Sequence, residues 1–530
     1  MAGNIIKFSK ITYRQYLALT YCISKYNSGD KISTDEIKKQ IGFTTDRMID
    51  ITFKALQKKG LINYYGLQNE PIMEITEATR QVIEQFTDPL LVIDKITPFS
   101  EIKKKIKYNE EKVALKAKVP LTSDYDTIKY LNSDAKIFHR WYGYLEDFPS
   151  SLVWDKIETN LHEKAVILDP FSGSGTTAIV AKMMGHHPIG IDVSPLAAFV
   201  SKAKTTWDID IKLYKKYSSL IINELVSGNE IFLSNRLLTK SLQNMEVMER
   251  NQWLKPLVQN YVSYVKESIY SIEDEDIRNL LTLCTIESAK EASNVAFCPG
   301  TSFYPFRKRA HFVEAFKNQV SFAYEDLMIA QRIIDKTESA RIINEDCRIM
   351  HEEIESHSVD YIFTSPPYPN DLEYTRQTKL DLYLSELVES EADIQKIKKK
   401  MVKGSTKVIF KESNSSELVK EFNSIQGVVD SLTEAFEGKN WGWDYPRMVN
   451  EYFGDMYLVF KAVDKVLSEN GKAEFVVGDQ SYKNVLIPVG DILCELADEL
   501  GFKYTKELFR VRSSTIHDLP LNEDIVIISR

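Results

Sequence analysis

Residues 165–192 constrain the fold of this chain more than any other stretch. The apolar run Ala165-Val166-Ile167-Leu168 ends at Asp169, a turn follows through Pro170-Phe171-Ser172-Gly173-Ser174-Gly175, and Thr176-Thr177 open a helical pattern that runs to Met184. A second apolar run, His187-Pro188-Ile189-Gly190-Ile191, ends in Asp192, 17 residues past Gly175. Strand, glycine turn, helix, strand and acid in that order are the parts of a βαβ unit, and such a unit belongs to a parallel sheet. The glycines let the backbone approach a ligand closely, and the helix start offers free N–H groups. Asp192 falls where a carboxylate meets ribose hydroxyls. No Gly-Lys-Ser/Thr follows the glycines, and the full Gly-x-Gly-x-x-Gly fingerprint is absent, so an adenosine-bearing cofactor without phosphate fits better than a nucleoside phosphate or a dinucleotide.

The second informative stretch is Tyr361-Ile362-Phe363-Thr364-Ser365-Pro366-Pro367-Tyr368. Two prolines remove two backbone donors and fix φ at the tip of a β-type run, so the strand must stop there and show its carbonyls and the Tyr368 ring to whatever lies beyond. Such a tip suits a flat ring that carries an amino group.

Together, Asp-Pro-Phe-Ser-Gly-Ser-Gly-Thr-Thr and Thr-Ser-Pro-Pro-Tyr resemble the motifs of the S-adenosylmethionine-dependent amino-methyltransferases of DNA, most closely the N4-cytosine group. The resemblance implies that Asp169, Phe171, Gly173 and Gly175 cradle the methionine part of the cofactor, that Asp192 binds its ribose, and that Asp346 lies near the adenine, with Thr364 at the strand end beside them. Phe148-Pro149-Ser150-Ser151-Leu152 is similar to the family's segment over the methionine end. It also implies Ser365, Pro366, Pro367 and Tyr368 as the catalytic set. The resemblance covers residues 139–205 and 339–530, and it departs from many Ser-Pro-Pro-Tyr enzymes in motif order, because here the glycine-rich motif comes first. The expected fold is α/β, a Rossmann-like class I methyltransferase sheet with a helical insertion. A helical pattern at Met448–Leu467 leads through Glu469-Asn470-Gly471 to a strand at Lys472–Val477. An amphipathic run at Val489–Leu500 and two strands, Thr505–Val511 and Asp524–Ser529, complete the sheet with an antiparallel hairpin at its edge.

The residues also suggest a mechanism. An exocyclic amino nitrogen on cytosine or adenine has its lone pair delocalised into the ring, so it attacks a sulfonium methyl poorly. Hydrogen bonds from its protons to well-placed acceptors, here Ser365 Oγ and the Pro366 carbonyl, pull it toward tetrahedral geometry and stabilise the charge that develops. Tyr368 would stack on the base, which must leave the duplex. None of the five cysteines follows a proline, so the covalent route of cytosine carbon-5 methylation is not expected.

A chain of 530 residues with 43% hydrophobic content exceeds one ordinary core. Scattered cysteines with no Cys-x-x-Cys pair argue against a disulfide framework and a zinc cluster, and no metal is expected. No run reaches transmembrane length, and a cytoplasmic protein is expected. The net charge is −9, yet residues 1–120 carry 20 Lys and Arg against 14 Asp and Glu, so any DNA surface must be a local basic patch.

Residues 8–88 read as helix, short helix, turn, longer helix at about Thr45–Lys59, then a two-stranded wing at Leu61–Tyr65 and Ile72–Ile75. This pattern resembles a winged helix-turn-helix domain, assigned to residues 1–100, followed by a linker at 101–138. Thr44, Thr45 and Arg47 would start a recognition helix in the major groove, with Lys54, Lys58 and Lys59 near phosphates; the alternative is a domain that dimerises or docks a partner protein. Lys103-Lys104-Lys105 with Lys107 is either a phosphate contact or a solvated charge run. Residues 206–338 form an insertion of helical periodicity, with the basic and aromatic loop Phe306-Arg307-Lys308-Arg309; it is either the target-recognition region or a helical cap. Residues 376–447, with Lys398-Lys399-Lys400 and Trp441-Gly442-Trp443, are the other candidate for target recognition. The expected activity is methylation of an amino group in double-stranded DNA, cytosine N4 first and adenine N6 second. An RNA guanine-N2 methyltransferase is less favoured, because Pro369 follows Tyr368. The alternative of another class is an inactive DNA-binding regulator. A cognate nuclease and a homodimer are the further partners considered.

Overall fold

The computed structural model describes residues 18, 22, 34–35, 46–58, 60–68, 72–76, 132, 136–144, 148–227, 238–296, 302–304, 309–333, 339–512 and 520–530. The chain divides into two compact units, Met1–Lys116 with Ser123–Thr127, and Ala117–Thr122 with Ile128–Arg530.

In the first unit, helix α1 (Asp46–Lys58) buries Ile49, Phe53 and Leu56 on one face. Gly60, at φ 73°, ends it, with Leu61 N–H bonded back to the Leu56 carbonyl at 3.2 Å. Strands β1 (Ile62–Tyr64) and β2 (Met73–Ile75) pair antiparallel and alternate buried and exposed residues, so their inner side chains meet the apolar face of α1. Phe53 and Tyr64 pack edge to face at 5.4 Å, and Tyr64 donates to Asp50 Oδ1 at 3.1 Å. A helix followed by a small hairpin is what these residues form; of the two preceding helices of the expected domain, only residues 18, 22 and 34–35 are among the described residues, and these are helical.

The second unit is built on a seven-stranded sheet. Helix α2 (Ser150–Asn160) precedes β3 (Val166–Asp169), α3 (Thr176–Met183), β4 (His187–Ile191) and α4 (Pro195–Thr205). Helices α5 (Ile211–Ser227), α6 (Pro256–Tyr270), α7 (Glu275–Ala292) and α8 (Phe312–Ile333) then intervene before β5 (Arg341–Ile343) and β6 (Val359–Thr364). Helix α9 (Tyr445–Val466), strand β7 (Leu467–Gly478), helix α10 (Val489–Glu499), and strands β8 (Lys503–Arg512) and β9 (Leu521–Ser529) finish the unit. The strands lie in the order β8-β9-β7-β6-β3-β4-β5. The five from β7 to β5 are parallel, β9 runs against β7, and β8 returns against β9. A mostly parallel sheet with an antiparallel edge fits the expected class I methyltransferase fold.

Helix α9 is amphipathic: Met448, Tyr452, Phe453, Met456, Val459, Phe460 and Val463 are buried in the core, while Arg447, Lys461 and Lys465 stay exposed. It begins three residues before the expected Met448, with Pro446 in its first turn, where a missing N–H costs nothing. Strand β7 begins earlier than expected too. Glu469-Asn470-Gly471 lies inside it as a bulge, since its partners on β6 jump from Val359↔Leu467 to Tyr361↔Lys472. The reversed motif order has a simple consequence in space: β3 and β6 are hydrogen-bonded neighbours, with Ile167 opposite Tyr361, whichever comes first in the chain.

The helices between β4 and β5 brace the segment before α2. Asp326 of α8, almost fully buried, accepts from Phe138 N–H at 3.0 Å and from Trp141 Nε1 at 2.8 Å, and pairs with Arg140. Lys290 of α7 reaches Asp381 at 3.3 Å. No described helix is long and apolar enough to cross a membrane.

Candidate active site

The sheet changes direction of winding between β3 and β6, so the loops at their carboxyl ends part and leave a crevice. A cavity of about 570 Å³ opens there, within the range of roughly 300–1,000 Å³ usual for ligand clefts. Phe171, Gly173, Asp192, Asp346, Ser365, Pro366, Pro367 and Tyr368 all line it, so residues from three parts of the sequence meet in one wall.

Gly173 and Gly175 both adopt left-handed backbone, at φ 51° and 85°. At Gly175 a Cβ would stand 2.5 Å from Ser201 Oγ on α4, so the turn requires glycine for space as well as for φ. Gly175 caps α3 and does not itself line the cavity, whereas Gly173 does and lies against the Tyr144 ring. Ser174 Oγ accepts from the buried Lys204 ammonium at 3.2 Å, which ties the turn to α4.

The three acids do different things. Asp169 stands behind the wall: Thr364 Oγ1 donates to its Oδ1 at 2.6 Å and Phe171 N–H at 3.0 Å, so Asp169 and Thr364 lock the tip of β3 to the tip of β6. Burial pushes the Asp169 carboxyl up to about 6, while those hydrogen bonds pull it down. Asp192 faces the cavity with each oxygen holding one backbone N–H, Gly173 on Oδ2 at 2.9 Å and Ser194 on Oδ1 at 2.8 Å. Burial pushes it up to about 6 as well. Asp346 is no solvated strand-end acid; Arg348 holds it at 2.6 Å and reaches on to the buried Asp455 at 2.6 Å.

Ser365 Oγ donates to the Val476 carbonyl on β7 at 3.1 Å and lies within reach of the Tyr368 hydroxyl. With its proton engaged, the oxygen presents lone pairs to a donor. Pro366 is buried and Pro367 half-buried. The Tyr368 hydroxyl donates to Glu523 Oε1 on β9 at 3.0 Å.

Residues 18–202 match the model of the N6/N4 methyltransferase family, described as DNA methylase. Over 424 residues the chain is 27% identical to the Type II methyltransferase M.BsoBI of Geobacillus stearothermophilus, covering 72% of this chain and 81% of that protein. It is 24% identical over 463 residues to the Type II methyltransferase M.AvaI of Nostoc, covering 80% and 92%. The Type II methyltransferase M.MvaI of Kocuria varians is 22% identical over 404 residues, covering 72% and 86%. Over most of its length the chain is thus similar to DNA amino-methyltransferases.

Its methyl donor is therefore S-adenosylmethionine, and the cavity fits that group. An aspartate whose two oxygens each hold one N–H keeps a further lone pair on each for a vicinal diol, and the left-handed Gly173 leaves the adjoining floor without a side chain. Phe148, Pro149 and Leu152, the segment expected over the methionine end, line the same cavity, with Phe148 edge-on to Phe363 at 5.5 Å.

Sequence reasoning missed part of the methyltransferase cavity. Tyr144, Asn370, Tyr374, Lys400, Phe509, Arg510, Arg512 and Glu523 also line it. The signal available for Glu523 was an acid at the start of an apolar strand run, which solvent would explain equally well; nothing marked Arg510 or Arg512.

Other expected DNA-binding residues are distributed unevenly. Thr44, Thr45, Lys59, Lys103, Lys104, Lys105, Lys107, Phe306, Arg307 and Lys308 lie outside the described residues. Arg47, Lys54 and Lys58 are exposed on α1, and Lys54 pairs with Asp50 at 2.7 Å. Arg309 donates to Asn294 inside the helical insertion. Lys398 pairs with Glu373 at 2.7 Å and Lys400 with Glu345 at 3.0 Å, so that run is partly neutralised. Trp441 and Trp443 are 54% and 74% exposed.

Proposed function

We propose that this DNA methyltransferase transfers the methyl group of S-adenosylmethionine to the N4 amino group of a flipped cytosine. The observation that carries this reading is Ser365, whose hydroxyl proton is given to the Val476 carbonyl while its oxygen shares a cavity wall with Asp192 and Gly173. An amino proton donated to that oxygen, and a second to the Pro366 carbonyl, localise the nitrogen lone pair and stabilise the cationic transition state. Asp192 would hold the ribose, Gly173 and Phe171 the methionine end, and Asp346 would stand by the adenine with Arg348 fixing its direction. The bound cofactor supplies an electrophilic methyl on its sulfonium. Transfer is direct on this reading: Cys347 lines the cavity, but burial first, and then nearby Asp346, hold its thiol well above the usual range, and a thiol is a poor nucleophile.

Residues 139–205 and 339–530 would form the catalytic domain and 206–338 a helical insertion, with residues 1–100 as a winged helix that uses Arg47, Lys54 and Lys58 on DNA. A nuclease of the same recognition sequence is the partner this reading expects. The test is incubation of DNA with isotope-labelled S-adenosylmethionine, digestion to nucleosides and mass spectrometry. Label in N4-methylcytosine is expected. Label only in N6-methyladenine moves the activity to the other amino group, and 5-methylcytosine overturns the mechanism.

A further inference from the structure

The edge hairpin β8–β9 puts charged side chains into the cavity for which the amino-methyl transfer has so far had no use. Glu523 of β9 is 7% exposed, takes the Tyr368 hydroxyl on one oxygen at 3.0 Å, and is held by Arg510 on the other. Arg512 of β8 stands over the Tyr368 ring, Cζ 5.8 Å from its centroid, and is pinned by an Nη2 bond of 2.6 Å to the Asp479 carbonyl. Its Nε is buried without a hydrogen-bond partner. Gly478, at the end of β7, lets both approach: a Cβ there would lie 2.9 Å from Tyr368 Cε2 and 2.6 Å from Arg512 Nη2.

A phenyl ring that served only as an apolar wall would need none of this. A buried carboxylate is costly unless its oxygens are bonded, and here both oxygens are bonded, one of them to the phenol. The hydroxyl tie stops the ring from tilting, and the guanidinium covers one of its two faces, so a single face in a single orientation remains. The same hydroxyl is within reach of Ser365, so the tilt of the ring and the position of the amino acceptor are set together.

We propose that Glu523 is a positioning residue for the target base: by accepting the Tyr368 hydroxyl it fixes the ring, with Arg512 on its far face, as a one-sided platform that delivers the amino group of the stacked base to Ser365. The inference rests on the reading of Tyr368 as the stacking partner in the proposed reaction. Arg510, two-thirds exposed, neutralises the far side of the carboxylate.

A double-mutant cycle tests it, with Tyr368→Phe, Glu523→Ala, both together, and Glu523→Gln as the variant that keeps an acceptor. The substrate is DNA carrying a sequence that the wild-type enzyme methylates. Each of Tyr368→Phe and Glu523→Ala is expected to lower kcat about 3- to 10-fold, the worth of one hydrogen bond. The double variant should fall no further than the slower single one, Glu523→Gln should retain most of the rate, and calorimetry should give an unchanged affinity for S-adenosylmethionine in all four. Multiplicative losses in the double variant, a wild-type rate for Glu523→Ala, or a Glu523→Gln as slow as Glu523→Ala overturns the positioning role while the reaction stands. A wild-type enzyme that puts no methyl on any amino group sinks the proposed reaction, and this role with it.

Discussion

The two ends of the cavity are built in opposite ways. The end formed by β3, β4 and their turn comes from one run of fewer than thirty residues, in which the Asp192 carboxylate accepts the backbone N–H groups of Gly173 and Ser194. The end that faces the proposed base draws Ser365 from β6, Val476 from β7, Arg512 from β8 and Glu523 from β9, residues up to 158 positions apart. The first end is held by one carboxylate on the N–H groups of its own neighbourhood and by the left-handed backbone of Gly173 and Gly175. The second is held by side chains that meet only because the strands carrying them are neighbours, and such meetings leave little mark on local sequence. On the proposed reading, local construction grips an invariant cofactor and distributed construction sets the orientation of a base.

Mutation should make the contrast sharper or break it. The largest effect is expected at Asp192: Asp192→Ala removes charge-assisted bonds to the ribose worth about 1.5–3 kcal/mol each, and frees the Gly173 and Ser194 N–H groups. Isothermal calorimetry with S-adenosylmethionine should show affinity weaker by a hundredfold or more in a variant whose circular dichroism is that of the wild type. An unchanged Kd would remove Asp192 from the cofactor end.

At the opposite end, Ser365→Ala should leave that affinity alone and lower kcat about 10- to 100-fold with a smaller change in KM for DNA, since the acceptor matters most in the transition state. A rise in KM with kcat preserved would mean that Ser365 only binds the base. Tyr368→Ala should lose base stacking worth about 1–3 kcal/mol.

Acidity tests the cofactor end by a second route. Burial pushes Asp192 up to about 6, so its carboxyl gains a proton as pH falls through that value. On the proposed reading the ribose hydroxyls donate to the ionised form, and binding should therefore be full above about pH 6 and weaken up to tenfold for each unit below it. Asp169, pushed to about 6 by burial, titrates in the same window behind the wall, so Asp192→Asn is needed to show which acid is responsible. Binding to the Asn variant should be weaker throughout and flatter with pH; a slope kept at wild-type steepness would assign the effect to Asp169.

The smallest effects belong to the first unit. Replacing Arg47 and Lys58 by Gln should reduce the salt slope of DNA binding by about one for each phosphate no longer neutralised, and leave S-adenosylmethionine affinity unchanged. Lys54, already paired with Asp50, should contribute less than either. Filter binding across a salt series that shows parallel lines for wild type and variant would mean that α1 serves a protein partner instead.

Much of this was legible in the residues before any fold was known. The turn at Gly173 and Gly175 had to be glycine-rich because the backbone there is left-handed, and the prolines after Ser365 had to end a strand. Less was legible of Asp169 and Thr364, which motif resemblance put on the cofactor and which the structure puts behind the wall, bonded to each other at 2.6 Å. A carboxylate next to a glycine turn looks the same in sequence whether it faces a ligand or a neighbouring strand.

By itself, then, the sequence determined what period and local chemistry can encode: the βαβ unit, the strand that stops at Pro366-Pro367, the antiparallel edge, and so the resemblance to S-adenosylmethionine-dependent enzymes. Only the tertiary structure decided that β6 and β3 stand side by side, that Ser365 gives its proton to Val476, and that Glu523 of the edge hairpin takes the Tyr368 hydroxyl. Hydrogen bonds within one turn are set by neighbouring φ and ψ angles, whereas bonds between strands more than a hundred residues apart depend on sheet order and register, which follow from burying the whole core at once.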